Sequence, residues 1–194
     1  NFKITGLPLL SLIGSFQYYH AAAALSALHH LSPNILDNKD CLFKALKKTI
    51  LLGRYQVISK NPEIILDVAH NADASAELYK NLSYSPARRT IAVIGILVDK
   101  DVYSLVKPMK SIIDVWHCGT INNERGMNSE EIKYRISSII DKQYLKSYPS
   151  IVEAYSAAVQ SLRKDDRLIV YGSFYTVSEI LKFVKFNKEI AVNM

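Results

Sequence analysis

The sequence from residue 54 onward predicts an α/β fold, a mostly parallel sheet with helices on both faces. Short aliphatic runs such as Ile64-Ile65-Leu66 and Ile91–Ile94 alternate with longer segments of helical periodicity. These runs are apolar at successive positions, which is typical of parallel strands buried on both faces. Polar or glycine-containing loops separate each strand from the helix that follows. This alternation favours parallel strands joined by right-handed crossovers.

The bounds of the elements follow from the apolar runs and from helix-capping residues. Asp101 is a candidate N-cap, either Asn128 or Ser129 caps a further helix, and Ser150 begins a long one. Predicted strands cover residues 54–59, 63–68, 89–97, 112–117, 144–148 and 167–171. Predicted helices cover residues 72–82, 150–162 and 175–186, with two shorter helices after Asp101 and after Met127.

The first part of the chain has a different pattern. The alanine-rich segment 16–31 predicts a helix that packs against another element, and segment 37–50 predicts a second helix with Asp37 as its N-cap. Two helices of this kind do not bury each other's apolar faces well. We therefore interpret residues 1–50 as the end of a preceding, incomplete domain and residues 53–194 as the α/β domain.

Composition and charge narrow the classes of partner. The net charge is +6 in 194 residues, and the lysines are dispersed, which argues against nucleic acid and suits an anionic small substrate. No apolar run reaches the ~18 residues of a membrane span, so no membrane contact is expected. Cys41 and Cys118 are far apart in the sequence and lack the spacing of metal-binding cysteines, so we expect free thiols and no metal site in this chain. Free thiols are typical of the reducing cytoplasm, where we expect the protein to be. Because the first residue is Asn1, we expect the chain to begin inside a longer gene product.

Polar residues follow the ends of four predicted strands. They are residues 67–71, residues 99–101, residues 118–120, and the pair Gly172-Ser173. The carboxyl ends of parallel strands share one edge of a sheet, where ligands of open α/β sheets bind. We therefore expect the functional site at this edge, with Asp67 and His70 placed for chemistry.

Each of these groups also has a structural interpretation. The polar residues at 67–71 can accept hydrogen bonds or cap the next helix. Ser173 can help bind an anion at a helix N-terminus or simply cap that helix, and for Lys100 the preferred interpretation is a surface salt bridge. Neither a Walker-type glycine loop nor a GxGxxG pattern follows a strand. A segment that holds the phosphates of a nucleotide would therefore lie elsewhere.

Several segments together carry a family pattern: Leu52–Gln56, Ile65–Asn71, Ala92–Asp101 and Gly172–Val177, with Asp114–Cys118 and Arg125-Gly126 between them. They resemble, in order and spacing, the C-terminal portion of bifunctional dihydrofolate synthase/folylpolyglutamate synthase. An Asp-x-Ala-His element alone indicates the wider Mur ligase superfamily. The Asp-Lys-Asp loop and the Gly-Ser-Phe ending narrow the resemblance to the folate branch, over essentially the whole chain.

This resemblance implies a Rossmann-like C-terminal domain of a Mur-type ligase, preceded by a helical remnant of the central ATP-binding domain. It implies that ATP phosphorylates a carboxylate of dihydropteroate or of a folate, and that the amine of L-glutamate attacks the acyl phosphate. ATP and Mg²⁺ are the implied cofactors, with the phosphate loop and metal ligands expected upstream of Asn1. We therefore expect the isolated chain to be inactive and able to self-associate, and the parent enzyme to be a monomer.

The resemblance also implies roles for five residues. Arg54 matches the arginine that contacts ATP, Asp67 matches the carboxylate on the nucleotide, and His70 matches the histidine near the nucleotide and the incoming glutamate. Ser173 matches a serine implicated in glutamate binding, and His20 stands where the family has an asparagine that helps to hold ATP. Two alternatives remain open, a different Mur-type amino-acid ligase and a non-catalytic nucleotide-binding or interaction domain.

Overall fold

The computed structural model of the chain describes residues 3–192, with side-chain surroundings described as far as Phe186. The chain divides into two compact units, one ending at Arg54 and the other beginning at Tyr55. In the first unit, helix α1 spans Phe16–Leu31 and helix α2 spans Lys39–Lys48, with a 3-10 helix at Pro33–Asp37 between them.

The predicted bounds of the second helix are wrong at both ends. Asn38, not Asp37, is the N-cap, and its side chain accepts a hydrogen bond from the Cys41 amide at 3.0 Å. Asp37 instead completes the 3-10 turn, which begins with a proline whose ring favours a helical start. At the other end the backbone becomes extended at Thr49, so the helix does not continue to Ile50.

The N-terminal unit leaves large apolar side chains exposed, as the sequences of its two helices predict. Leu25 and Leu42 are buried, whereas Leu9, Tyr19 and Leu31 are each about 80% exposed. Monomeric domains rarely expose apolar side chains at this density. The core of this unit therefore buries only part of its apolar side chains.

Within residues 3–192, six strands form one sheet. They are β1 (Gln56–Lys60), β2 (Glu63–Leu66), β3 (Arg89–Ile94), β4 (Val115–Gly119), β5 (Leu145–Tyr148) and β6 (Asp166–Tyr171). The order across the sheet is β1-β2-β6-β3-β4-β5. β1 is antiparallel to β2 and every other neighbouring pair is parallel. The mostly parallel sheet predicted from the sequence is confirmed.

Two strands differ from their predicted bounds because the backbone finds other partners. β3 stops at Ile94 instead of residue 97, since the Ile96 carbonyl and the Val98 amide bond to Met127 and Arg125, both at 2.9 Å. β4 starts at Val115 instead of residue 112, because the two preceding isoleucine amides bond to the Met109 carbonyl in a turn.

Helices cover both faces of the sheet, as predicted. α3 (Ala72–Ser83), α4 (Val102–Val106) and α5 (Ser129–Ile136) pack on one face, and α6 (Ile151–Ser161) and α7 (Phe174–Val192) pack on the other. The caps predicted at Asp101 and Ser150 are confirmed, and Asn128 rather than Ser129 caps its helix. No helix within residues 3–192 is both long and apolar enough to cross a membrane.

A buried arginine ties the amino ends of β2 and β6 together. Arg167 is 1% exposed, and its Nε donates to Glu63 at 2.7 Å. Its other nitrogens donate to the Leu82 carbonyl at 3.0 Å and to the Ser85 carbonyl. Burying a guanidinium is favourable only when its donors are paired, so these contacts fix the end of α3 against the sheet.

A buried histidine lies in the middle of β4. The His117 ring stacks on Tyr148, with the ring centroids 5.1 Å apart. Among the described residues, neither of its ring nitrogens makes a hydrogen bond within 3.5 Å, and a weaker interaction with the Ala154 backbone only partly opposes the effect of burial on its pKa. Burial, helped by the positive charge of Lys146, lowers the pKa of His117 to about 4.

Candidate active site at the carboxyl edge of the sheet

The loops that follow β2, β6 and β3 lie next to one another because those strands are neighbours. The chain leaves β2 and β3 toward one face and leaves β6 toward the other, which opens a crevice at the edge of the sheet. Backbone bonds join the loops, with Gly172 donating to Ala69 at 3.0 Å and Gly95 donating to Tyr171 at 3.4 Å. The predicted position of the site coincides with this crevice.

Glycine is required where β6 passes into α7. Gly172 has φ +116°, in a region that L side chains rarely adopt. A Cβ at this position would lie 2.5 Å from the Gly95 carbonyl oxygen. The close approach lets the start of α7 sit directly beside the end of β3.

A pocket of about 220 Å³ opens in the crevice. It is lined by His70 after β2, Lys100 after β3, Arg125 after β4, and Ser173 and Phe174 at the start of α7. Pockets for drug-sized ligands are usually about 300–1,000 Å³. This pocket therefore suits a small polar metabolite better than a whole nucleotide.

His70 is half-buried at this pocket and has a defined tautomer. Its Nδ1 lies 2.9 Å from the Val68 carbonyl oxygen, which can act as an acceptor but not as a donor. Nδ1 must therefore carry the proton, so that Nε2 of the neutral ring is an acceptor. The ring centroid is 5.7 Å from that of Phe174. Backbone and aromatic contacts together hold the imidazole at the edge of the pocket.

Asp67 connects the ends of β1 and β2. Its Oδ2 accepts from the Tyr55 amide and its Oδ1 from the Ala69 amide, both at 2.8 Å. These two bonds hold the start of β1 and the loop after β2 together. The side chain thus has a structural function at this edge of the sheet.

Ser173 caps α7 and directs its hydroxyl into the protein. The Thr176 hydroxyl donates to the Gly95 carbonyl at 2.9 Å, so the hydroxyl–hydroxyl bond of 2.8 Å must use the Ser173 proton. Ser173 Oγ also accepts from the Thr176 amide at 3.0 Å. Both side chains are buried. The serine therefore belongs to a bridge between α7 and the end of β3, which we name the Ser173–Thr176–Gly95 bridge.

Lys100 and Arg125 share one carboxylate at the rim of the pocket. Lys100 Nζ lies 3.0 Å from one oxygen of Asp99, and an Arg125 nitrogen lies 3.1 Å from the other. The surface salt bridge preferred for Lys100 is confirmed. The ammonium and the guanidinium lower the pKa of Asp99. The three side chains carry one net positive charge beside the pocket.

The remaining predicted site residues, Arg54 and His20, belong to the N-terminal unit. His20 is exposed, with Nδ1 3.2 Å from Gln17 Oε1 and its ring 5.5 Å from that of Phe16. It contributes to the wall of a largely apolar pocket of about 240 Å³ that also includes Leu10. Its predicted contact with ATP stays a prediction, as does that of Arg54.

Arg125 was not predicted as a site residue, and the predicted end of β4 at residue 117 is wrong. Cys118 and Gly119 are part of β4 instead of a polar loop, and Cys118 is fully buried. The loop that lines the crevice is the next one, which contributes Arg125. Pairing of Leu97 with Gly126 brings this loop to the pocket, a long-range contact that the Arg125-Gly126 part of the family pattern does not reveal by itself.

The residues described do not form a metal centre. Within residues 3–192, no group of three or more His, Cys, Asp and Glu side chains is arranged to hold a metal ion.

A family model described as Mur ligase, glutamate ligase domain, matches residues 53–174. The chain belongs to the Mur ligase family. This Mur ligase chain is 32% identical, over 85% of its length, to dihydrofolate synthase/folylpolyglutamate synthase of Escherichia coli (strain K12), of which it spans 37%. The resemblance inferred from the sequence motifs is confirmed.

Solved structures agree with the fold. E. coli FolC in complex with ADP, without folate substrate, matches this Mur ligase chain with a TM-score of 0.81 and 29% identity, over 96% of the chain and 43% of FolC. A bifunctional folylpolyglutamate synthase/dihydrofolate synthase with Mn, AMPPNP and L-glutamate bound matches with a TM-score of 0.79 and 28% identity, over 94% of the chain and 42% of that protein. The chain thus spans less than half the length of these relatives.

Proposed function

We propose that this chain is part of an ATP-dependent ligase that adds L-glutamate to dihydropteroate, to folylpolyglutamate, or to both, through an acyl phosphate. One observation of the structure supports this most directly. The crevice holds a pocket of about 220 Å³ with an imidazole at one side and two cationic side chains at the other. This size and charge suit an amino acid with two carboxylates better than a neutral or larger ligand.

The relatives supply the second support. Those reported above are named for folate-dependent glutamate ligation, and their structures contain ADP, AMPPNP, Mn or L-glutamate. On this basis ATP and a divalent cation such as Mg²⁺ are the proposed cofactors.

ATP would supply the phosphoryl group that activates the carboxylate of the folate substrate. For binding of the nucleotide we propose the guanidinium of Arg54 at the phosphates, the carboxylate of Asp67 at the ribose hydroxyls, and His20 as a further contact. These roles follow the family motif position by position.

His70 is proposed to lie between nucleotide and amino acid. Its Nδ1 proton is held by the Val68 carbonyl, so Nε2 can accept a proton from the attacking amine. Ser173 is proposed to contribute to glutamate binding through the capped start of α7, whose backbone it fixes. Closing the crevice during reaction would keep water from the acyl phosphate.

The chain alone is proposed to lack turnover, and the complete enzyme is proposed to act as a monomer in the cytoplasm on small-molecule substrates. Self-association of the isolated chain through the exposed apolar side chains of its N-terminal unit remains an expectation. Neither nucleic acid nor a membrane is proposed as a partner.

The test is ligation by the complete gene product. With ATP, Mg²⁺ and L-glutamate, we expect phosphate release and a new amide product when dihydropteroate or tetrahydrofolate is supplied. Omission of glutamate and use of the 194-residue chain alone are the controls, and both should give no amide. Product formation with muramyl nucleotides and not with pteroates would favour the other Mur-type ligases. Saturable ATP binding without any ligation would favour a nucleotide-binding domain.

A further inference from the structure

We propose that Arg125, held by Asp99, is a specificity-determining residue that binds the side-chain carboxylate of the incoming amino acid, with Lys100 as a second cation. This inference rests on the proposed function, because it assigns one end of the glutamate to one side of the pocket.

The order of the strands sets the orientation. The loop after β2, with Asp67 and His70, is at one side of the crevice, the start of α7 is in the middle, and the loops after β3 and β4 are at the other side. The reacting amine must face the nucleotide, which is proposed at the β2 loop. The end of the amino acid farthest from its amine therefore points toward the loops that contain Lys100 and Arg125.

The backbone of Arg125 is fixed before any ligand binds. Its amide donates to the Asn123 side chain at 2.9 Å, and its carbonyl accepts from the Val98 amide at 2.9 Å. Gly126 then bonds back to the Asn123 carbonyl at 2.9 Å. A side chain on a preorganised loop loses less conformational freedom on binding than one on a flexible loop.

The Arg125 guanidinium has donors left to bind a second carboxylate. Arginine has five N–H donors in a planar fork, and the bond to Asp99 uses one nitrogen. The Arg125 side chain is 58% exposed and that of Lys100 is 33% exposed, both at the pocket. Exposed ion pairs of this kind contribute little to stability, and Asp99 occupies only one nitrogen of the guanidinium, so a substrate carboxylate can bind the remaining N–H groups while Asp99 keeps Arg125 in place.

The experiment measures amide formation by the complete gene product and by its Arg125→Gln variant. We expect the KM for L-glutamate to rise roughly 10- to 100-fold, the loss of one charge-assisted contact, while the KM for ATP stays unchanged. The variant should also lose the preference of the wild type for L-glutamate over L-glutamine. Asp99→Asn should give a smaller rise in the same KM, because the guanidinium remains but is no longer held.

Arg135→Gln is the matched control, since Arg135 is similarly exposed and paired with Glu131 on α5. It should leave every kinetic constant unchanged. An Arg125→Gln variant that keeps the wild-type KM for glutamate and the wild-type discrimination against glutamine would overturn the assignment. If the wild type itself forms no amide from L-glutamate, it is the proposed function that fails, and the two failures are distinguishable.

Discussion

Substitution of Thr176 by valine tests the Ser173–Thr176–Gly95 bridge. Valine keeps the shape of the side chain but removes the hydroxyl, which is fully buried and takes part in bonds of 2.8 and 2.9 Å. Each buried hydrogen bond contributes about 0.5–1.5 kcal/mol, and leaving a buried partner unsatisfied costs about 1–3 kcal/mol. We therefore expect Thr176→Val to lower the free energy of unfolding by about 2–4 kcal/mol.

The assay is urea denaturation of the 194-residue chain, followed by the fluorescence of its one tryptophan, Trp116, which is fully buried on β4. Thr49→Val is the control, because the Thr49 hydroxyl bonds to the Ala45 carbonyl at 2.8 Å at an exposed position. Its effect should stay within about 0.5 kcal/mol. Thr176→Ser should retain most of the stability. Equal effects of the two valine substitutions would refute the reasoning.

Two further perturbations test buried polar groups. The free energy of unfolding should fall by up to about 3 kcal/mol as the pH drops from about 6.5 to 4. In this range His117 binds a proton in the unfolded state, whereas in the folded state its pKa of about 4 keeps the ring mostly neutral. His117→Phe should flatten this part of the pH profile measured by urea denaturation, and an unchanged slope would contradict the assignment. Arg167→Met should lower the free energy of unfolding by about 3–5 kcal/mol, because Glu63 and two backbone carbonyls lose their donor. The surface variant Arg135→Met is its control, and equal urea midpoints for the two would show that the ion pair is dispensable.

The alternation of strands and helices was predictable because each element carries its own periodicity and caps. Asp101 and Ser150 accept amide hydrogen bonds at the starts of their helices, as their residue types indicate. The bounds of strands and helices were less predictable where tertiary contacts take the place of the element's own backbone hydrogen bonds. The end of β3 is set by a loop some 30 residues away, and the apolar run from Ile91 continues past the point where the ladder stops. Asp37 was misassigned because Asn38, one residue later, is an equally good cap.

The candidate site was predictable to the extent that strand ends define it. His70 and Ser173 both line the pocket, and both were identified from their places after strands. The direction of the Ser173 hydroxyl was not predictable, because it depends on a carbonyl in the Gly95 turn, distant in sequence. Arg125 was missed for a similar reason, since its loop reaches the pocket through pairing with the segment after β3.

The position of β6 has a consequence for the folding of the domain during its synthesis. The last of the six strands described within residues 3–192 lies in the interior of the sheet, between β2 and β3. Before residues 166–171 leave the ribosome, the hairpin β1-β2 and the three-stranded piece β3-β4-β5 have no strand to join them. A premature stop ahead of Asp166 would thus release two separate half-sheets with bare inner edges, which are templates for aggregation. The crevice itself cannot form until β6 has been synthesised.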